Sequence, residues 1–204
     1  MANYSAIKYN FNLPTGTTNE SGNSIELIKT LTADDSATNL TFVNGASNVV
    51  LDATYKTYLF KLINIHPKTD DTNFTVNFRD GGTNYDATKT STAWQALHPE
   101  SGGPSVGYVT ADDLSQATGE QILFEGLGGD ADQSLSGEMF LFNPSSTTFI
   151  KHYMYKANNC QQSNQQRNAF KAGYCNVTAA IDGVKFSISS GNIEAGTIKL
   201  YGIR

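Results

Sequence analysis

The chain has 204 residues, of which 39% are hydrophobic and only 16% charged, with a formal net charge of -5. Ser, Thr and Asn together supply about 28%, in place of the Lys, Glu and Leu on which helices depend. Such a composition excludes a helical bundle, a coiled coil and an acidic tail. It also leaves no Lys/Arg cluster to serve as a footprint for a phosphate backbone, so nucleic acid is not an expected partner.

The first forty residues read as irregular. Asn10-Phe11-Asn12-Leu13-Pro14-Thr15-Gly16 is rich in turn formers, and residues 1–37 are expected to be an irregular N-terminal segment or an arm. The start, Met1 to Lys8, lacks the basic-then-apolar order of a secretory leader, so synthesis in the cytoplasm is expected. No apolar run approaches the ~20 residues that span a bilayer, and no membrane contact is expected.

Strand signals begin at Thr38. Leu40, Phe42 and Val43 form a short apolar run closed by Asn44-Gly45. Tyr58 to Ile65 is apolar on both parities, as in a strand covered on both faces, and stops at His66-Pro67. Phe74, Val76 and Phe78 alternate with polar residues up to Asp80-Gly81-Gly82. Ser91 to His98, with the single Trp at position 94, is another strand, and residues 99–107 are loop. Ala111 to Ala117 is the one helical turn predicted, on the strength of its acidic start.

Gln121 to Glu125 and Leu135 to Phe142 resume the strand pattern, the second closed by a predicted type I turn at Asn143-Pro144-Ser145-Ser146. Thr147 to Lys156 is expected to pair with the preceding strand as a hairpin. The Asn/Gln-rich run Asn158 to Asn168 is expected to be a surface loop. Val184, Phe186 and Ile188 alternate cleanly, and Thr197 to Ile203 forms the last strand. Eight to ten antiparallel strands with no βαβ rhythm predict an all-β protein, with residues 38–204 as a single jelly-roll-like β-sandwich.

Chemistry-bearing motifs are scarce. His66, His98 and His152 are scattered, and there is no His-Glu-x-x-His, nucleophile elbow, phosphate loop or dinucleotide fingerprint. Glu125, Asp130, Asp132 and Glu138 crowd one region in which two carboxylates facing a sugar would have to be sought, but acidic residues beside glycines are turn formers first. No catalytic residue and no cofactor are assigned. The calcium candidate is Asp130 with Asp132, whose spacing opens like a calcium loop. An EF-hand would need Gly and Glu where Leu135 and Leu141 stand. Cys160 and Cys175 are two thiols in a chain expected to be made intracellularly, although a hairpin could bring them face to face. Tyr85, Trp94 and Tyr108 lie near loops, where exposed rings could stack on a sugar, although core packing is the default for aromatics.

Three stretches carry a resemblance. Ala180 to Ile203 is similar to the C-terminal hairpin of a family of virion structural proteins from tailed bacteriophages. Tyr58 to Pro67, and Asp132 through Glu138 to Ser146, resemble the same family. The resemblance covers about residues 50 to 204 and implies a component of the virion without a catalytic motif. It does not say where on the particle the protein sits; small size, a single domain and an N-terminal segment that could anchor favour a capsid decoration or cement protein, expected to be a homotrimer docked on the major capsid protein. The alternative is a tail or fibre component that meets tail proteins and a host-surface glycan.

Overall fold

The structure is a computed structural model that describes residues 25–204. Twelve strands form: β1 (Ile25–Thr32), β2 (Asn39–Val43), β3 (Thr57–Pro67), β4 (Thr72–Arg79), β5 (Lys89–Pro99), β6 (Ser105–Tyr108), β7 (Gln121–Leu127), β8 (Leu135–Phe142), β9 (Lys151–Gln161), β10 (Gln165–Cys175), β11 (Gly183–Ile188) and β12 (Ile193–Ile203). All of their pairings are antiparallel.

Eight of these strands make two four-stranded layers, β1-β12-β3-β8 and β2-β11-β4-β7. Successive strands 1 to 4 alternate between the layers, as do 7, 8, 11 and 12. This interleaving is the double Greek key of a jelly roll. The layers close on an aromatic core because β4 and β11 point Phe74, Val76, Phe78, Val184, Phe186 and Ile188 inward at every second residue. Phe186 sits at its centre, with ring centroids 5.3 Å from Phe60 of the opposite layer, 5.8 Å from Phe74 and 6.4 Å from Phe42.

The other four strands come from two excursions. The β5–β6 hairpin lies between β4 and β7, and the β9–β10 hairpin between β8 and β11. They extend the first layer beyond β8 in the order β9-β10-β5-β6. The long sheet that results curls toward the edge of the short one, with which it shares one strand-pairing position, Leu127 with Gln161, and several side-chain contacts.

Several expectations are corrected. Residues 25–32 of the predicted arm are strand β1 at the edge of the long sheet; residues 1–24 lie outside the described residues. The Asn/Gln run is strand on both sides of a three-residue turn at Gln162-Ser163-Asn164, where Asn164 takes a φ of 54°. Backbone pairing on two sides outweighs the polarity of that sequence. Ser105 to Tyr108, expected to be mostly loop, is edge strand β6. No helix forms among the described residues: Ala111 to Ala117 is a set of bends, because Asp112 turns inward to a buried lysine instead of capping a helix. β11 and β12 do not form the C-terminal hairpin, since β11 pairs with β2 and β4 while β12 pairs with β1 and β3. The β8–β9 hairpin forms as expected, and the turn at Asn143 closes with a 3.1 Å bond from the Ser146 amide to the Asn143 carbonyl.

Candidate functional site

Between its two edge strands, β1 and β6, each strand of the long sheet buries one parity and turns the other outward. Tracing the register across the outward parity gives a continuous row: Leu27, Tyr201, Leu59, Phe140, Met154, Ala172 and Thr92 are each paired with the next. Six of these seven residues are apolar or aromatic, although each comes from a different strand. Beside them runs a second row in which Ile25 pairs with Ile203, Ile203 with Thr57 and Thr57 with Phe142. His152, Tyr174 and Thr90 continue it on the extension.

Leu27 and Met154 are 51% and 55% exposed, while Leu59, also pointing outward, is only 6% exposed beneath its neighbours. Phe140 and Phe142 stack with ring centroids 6.1 Å apart. Two rows over six strands, at ~4.8 Å between strands and ~7 Å between rows, make a band of roughly 400 Å² in plan, predominantly apolar and interrupted by Thr57 and His152. Patches of that size on soluble proteins are commonly functional. The band dips into a groove of about 420 Å³ lined by Phe142, His152, Met154, Tyr174, Thr90 and Thr92.

The third row changes character along its length. Lys199, Lys61, Glu138 and Lys156 are charged, and Phe170, Trp94 and Tyr108 are aromatic. Lys61 and Glu138 pair at 2.5 Å, and the Lys156 ammonium lies 5.8 Å over the Phe170 ring. Trp94 stacks on Phe170 at 4.0 Å with planes 7° apart, so one face of its ring is already covered, and it remains 43% exposed. Tyr108, 54% exposed, donates its hydroxyl to Asp113 at 2.5 Å. Of the three rings proposed as a sugar platform, Trp94 and Tyr108 are therefore neighbours. Tyr85 lies elsewhere, under the Lys185 ammonium at 5.6 Å.

The acidic cluster is dispersed. Glu138 is paired to Lys61, and Glu125 lies 3.6 Å from Arg167. Asp130 and Asp132 occupy an exposed turn in which the Asp130 backbone carbonyl accepts from the Gln133 amide at 2.9 Å and meets the His66 ring at 3.1 Å. Among the described residues no group of three or more His, Cys, Asp or Glu side chains gathers as a metal cage. Cys160 and Cys175 are free thiols at opposite ends of the β9–β10 hairpin, across from Gln166 and Lys151, so they do not face each other.

The face that the structure singles out is thus built mainly of side chains that bury surface, and of the reactive groups weighed above it holds His152 alone, without a second such group beside it in the groove. No window of sequence contains it, since its residues arrive one or two per strand. The one signal was apolar residues on both parities, in Tyr58 to Ile65 and again in Met139 to Phe142. No protein-family model matches the chain, and comparison with curated proteins gives no significant match.

Proposed function

We propose that this chain is a structural component of a tailed-phage virion, a decoration or cement protein of the head exterior. On this reading it buries the band on its long sheet against a neighbouring subunit of the shell, and it assembles as a homotrimer. The observation that carries the proposal is the band itself: outward-facing apolar residues in register over six strands serve burial against another surface better than they serve solvation. The strand-and-turn stretches that resemble phage virion proteins support it, and the jelly-roll fold is compatible with it. Repetition on a lattice makes a modest contact firm, since each copy is held at high effective concentration.

Counting copies of the chain in purified particles by quantitative mass spectrometry, against the major capsid protein, tests it. Copies in the hundreds support a head-surface protein. A few copies favour a tail or fibre component that meets the host surface, and absence from the particle sinks both. Met154→Glu places a charge in the middle of the band at a half-exposed position. It should change folding stability by no more than about 0.5 kcal/mol and abolish incorporation into particles.

A further inference from the structure

The inner face of the extension carries a pair of groups that the proposed function does not use. Between β6 and β7 the chain crosses this face and is pinned there. The Ser91 and Leu114 backbones bond at 2.9 Å, the Gln121 side chain donates to the Asp112 carbonyl at 2.6 Å, and Tyr153 donates to Gln121 at 2.9 Å. These bonds carry the Asp112 side chain inward. β10, whose buried parity runs Arg167, Ala169, Lys171, brings Lys171 to meet it.

The Lys171 ammonium donates to Asp112 Oδ2, and both side chains are wholly inaccessible. Among the described residues Asp112 Oδ1 has no hydrogen-bond partner. An ion pair with one oxygen bare is costly away from water, because its mutual attraction must offset two desolvations without further hydrogen bonds to that oxygen. We infer that Asp112 and Lys171 are joined by an amide, an intramolecular cross-link between the segment entering β7 and the middle of β10.

The chemistry balances with what is present. One proton passes along the existing hydrogen bond from the ammonium to the carboxylate, leaving a neutral amine and a neutral acid. The Lys171 Nζ lone pair attacks Asp112 Cγ, and the new C–N bond replaces one C–O bond. The departing oxygen leaves as water, with the acid proton and one amine proton. Burial holds Lys171 below the usual lysine range, which favours the free amine. Fixed approach of the two groups supplies the effective concentration, and exclusion of solvent protects the product from hydrolysis. The amide replaces two buried charges with one neutral donor and one neutral acceptor.

The intact mass of the folded protein, after allowing for removal of Met1, should be one water below the sequence value. Trypsin cannot cut after an acylated lysine, so peptide 168–171 should be missing and a branched species should join residues 90–151 to 168–185. Tandem mass spectrometry of that species should place the junction at Asp112 and Lys171, and Lys171→Met should restore the full mass. The full sequence mass together with a free 168–171 peptide overturns the inference and leaves a plain ion pair. Loss of water mapped instead to Asp80-Gly81 or Asp182-Gly183, where Asp can cyclise on its own backbone, overturns it equally.

Discussion

The jelly-roll body and the four-stranded extension share one sheet but are held together by different physics. Inside the body the strands present Phe42, Phe60, Phe74, Phe186, Ile198 and Leu200, and the contact between layers is hydrocarbon. Inside the extension the inward parity mixes apolar residues such as Tyr153, Tyr155 and Ala169 with Lys89, Ser91, Lys151, Asn159, Arg167 and Lys171, all buried. The cations among them are each held by named partners. Lys89 donates to Asn77 Oδ1 at 2.6 Å and to the Ala87 carbonyl at 2.8 Å, while Lys151 donates to the Val177 carbonyl at 2.7 Å. Arg167 donates to the Glu125 carbonyl at 2.8 Å and lies over the Phe124 ring. Apolar contacts are non-directional and tolerate rearrangement, whereas a buried cation has few acceptable positions. The body should therefore set how stable the protein is, and the extension where its strands sit.

The sharpest way to break this division is at Phe186. Its ring meets three others, and truncation leaves a cavity that both layers would have to close. Phe186→Ala should cost about 3–5 kcal/mol, read as a lower urea midpoint with an unchanged slope. A loss under about 1 kcal/mol would mean that the aromatic core is not what carries the body.

The same contrast decides what the sequence could disclose. Phe74-Thr75-Val76-Asn77-Phe78 and Val184-Lys185-Phe186-Ser187-Ile188 announce strands through their alternation, although the half-buried reading is corrected: Thr75, Asn77 and Ser187 on the polar parity are buried as well. In Asn158-Asn159-Cys160-Gln161 and Gln165-Gln166-Arg167-Asn168 the buried residues, Asn159 and Arg167, are as polar as the exposed ones. Alternation is present in the structure and invisible in the letters, so a hairpin reads as a loop. Asp112 is hidden for a related reason: its partner is 59 positions away, and no local pattern distinguishes an acid that caps from an acid that is buried. The outward apolar band is hidden because it exists only once six strands are in register.

Titration sharpens the comparison at intermediate cost. Burial lowers the Lys89 ammonium from 10.5 to about 8, and pushes the Cys175 thiol beside it up from 9.0 to about 12. Below pH 8 Lys89 is charged in both the folded and the unfolded chain. Between pH 8 and 10.5 the unfolded chain holds the extra proton, so stability rises with pH through that window. Lys151, also lowered by burial, acts in the same sense. Above pH 9 the unfolded Cys175 ionises while the folded one does not, and this opposes the gain.

The urea midpoint should therefore climb from pH 8 to 9, by about 1 kcal/mol, and then level off. It should decline above pH 10, where Tyr58, raised to about 12 chiefly by burial, adds its own penalty. Lys89→Met removes most of the climb and leaves the smaller share due to Lys151. Asn77 keeps the Phe78 amide as a donor at 3.0 Å, so the variant should still fold. A climb of the same size in the variant would show that the buried lysine is not its source.

The smallest effect separates the two regions most directly. Trp94 and Phe170 pair across β5 and β10, and Tyr108 continues the row onto β6, whose four residues are all exposed and pair only with β5 among the described strands. Removing the indole by Trp94→Ala takes away a parallel ring contact worth about 1 kcal/mol and strips the cover from one face of Phe170. If the extension is held by local partners, the loss stays local. Amide hydrogen exchange should then quicken at residues 105–108 and along the outer half of β5, with β3, β4, β11 and β12 unchanged. Faster exchange across the body as well would show that the two regions open together. In that event the polar inner face of the extension would be part of the core's cooperativity, and the register it imposes would reach β8 through the pairs that join Met139, Phe140 and Leu141 to Tyr155, Met154 and Tyr153.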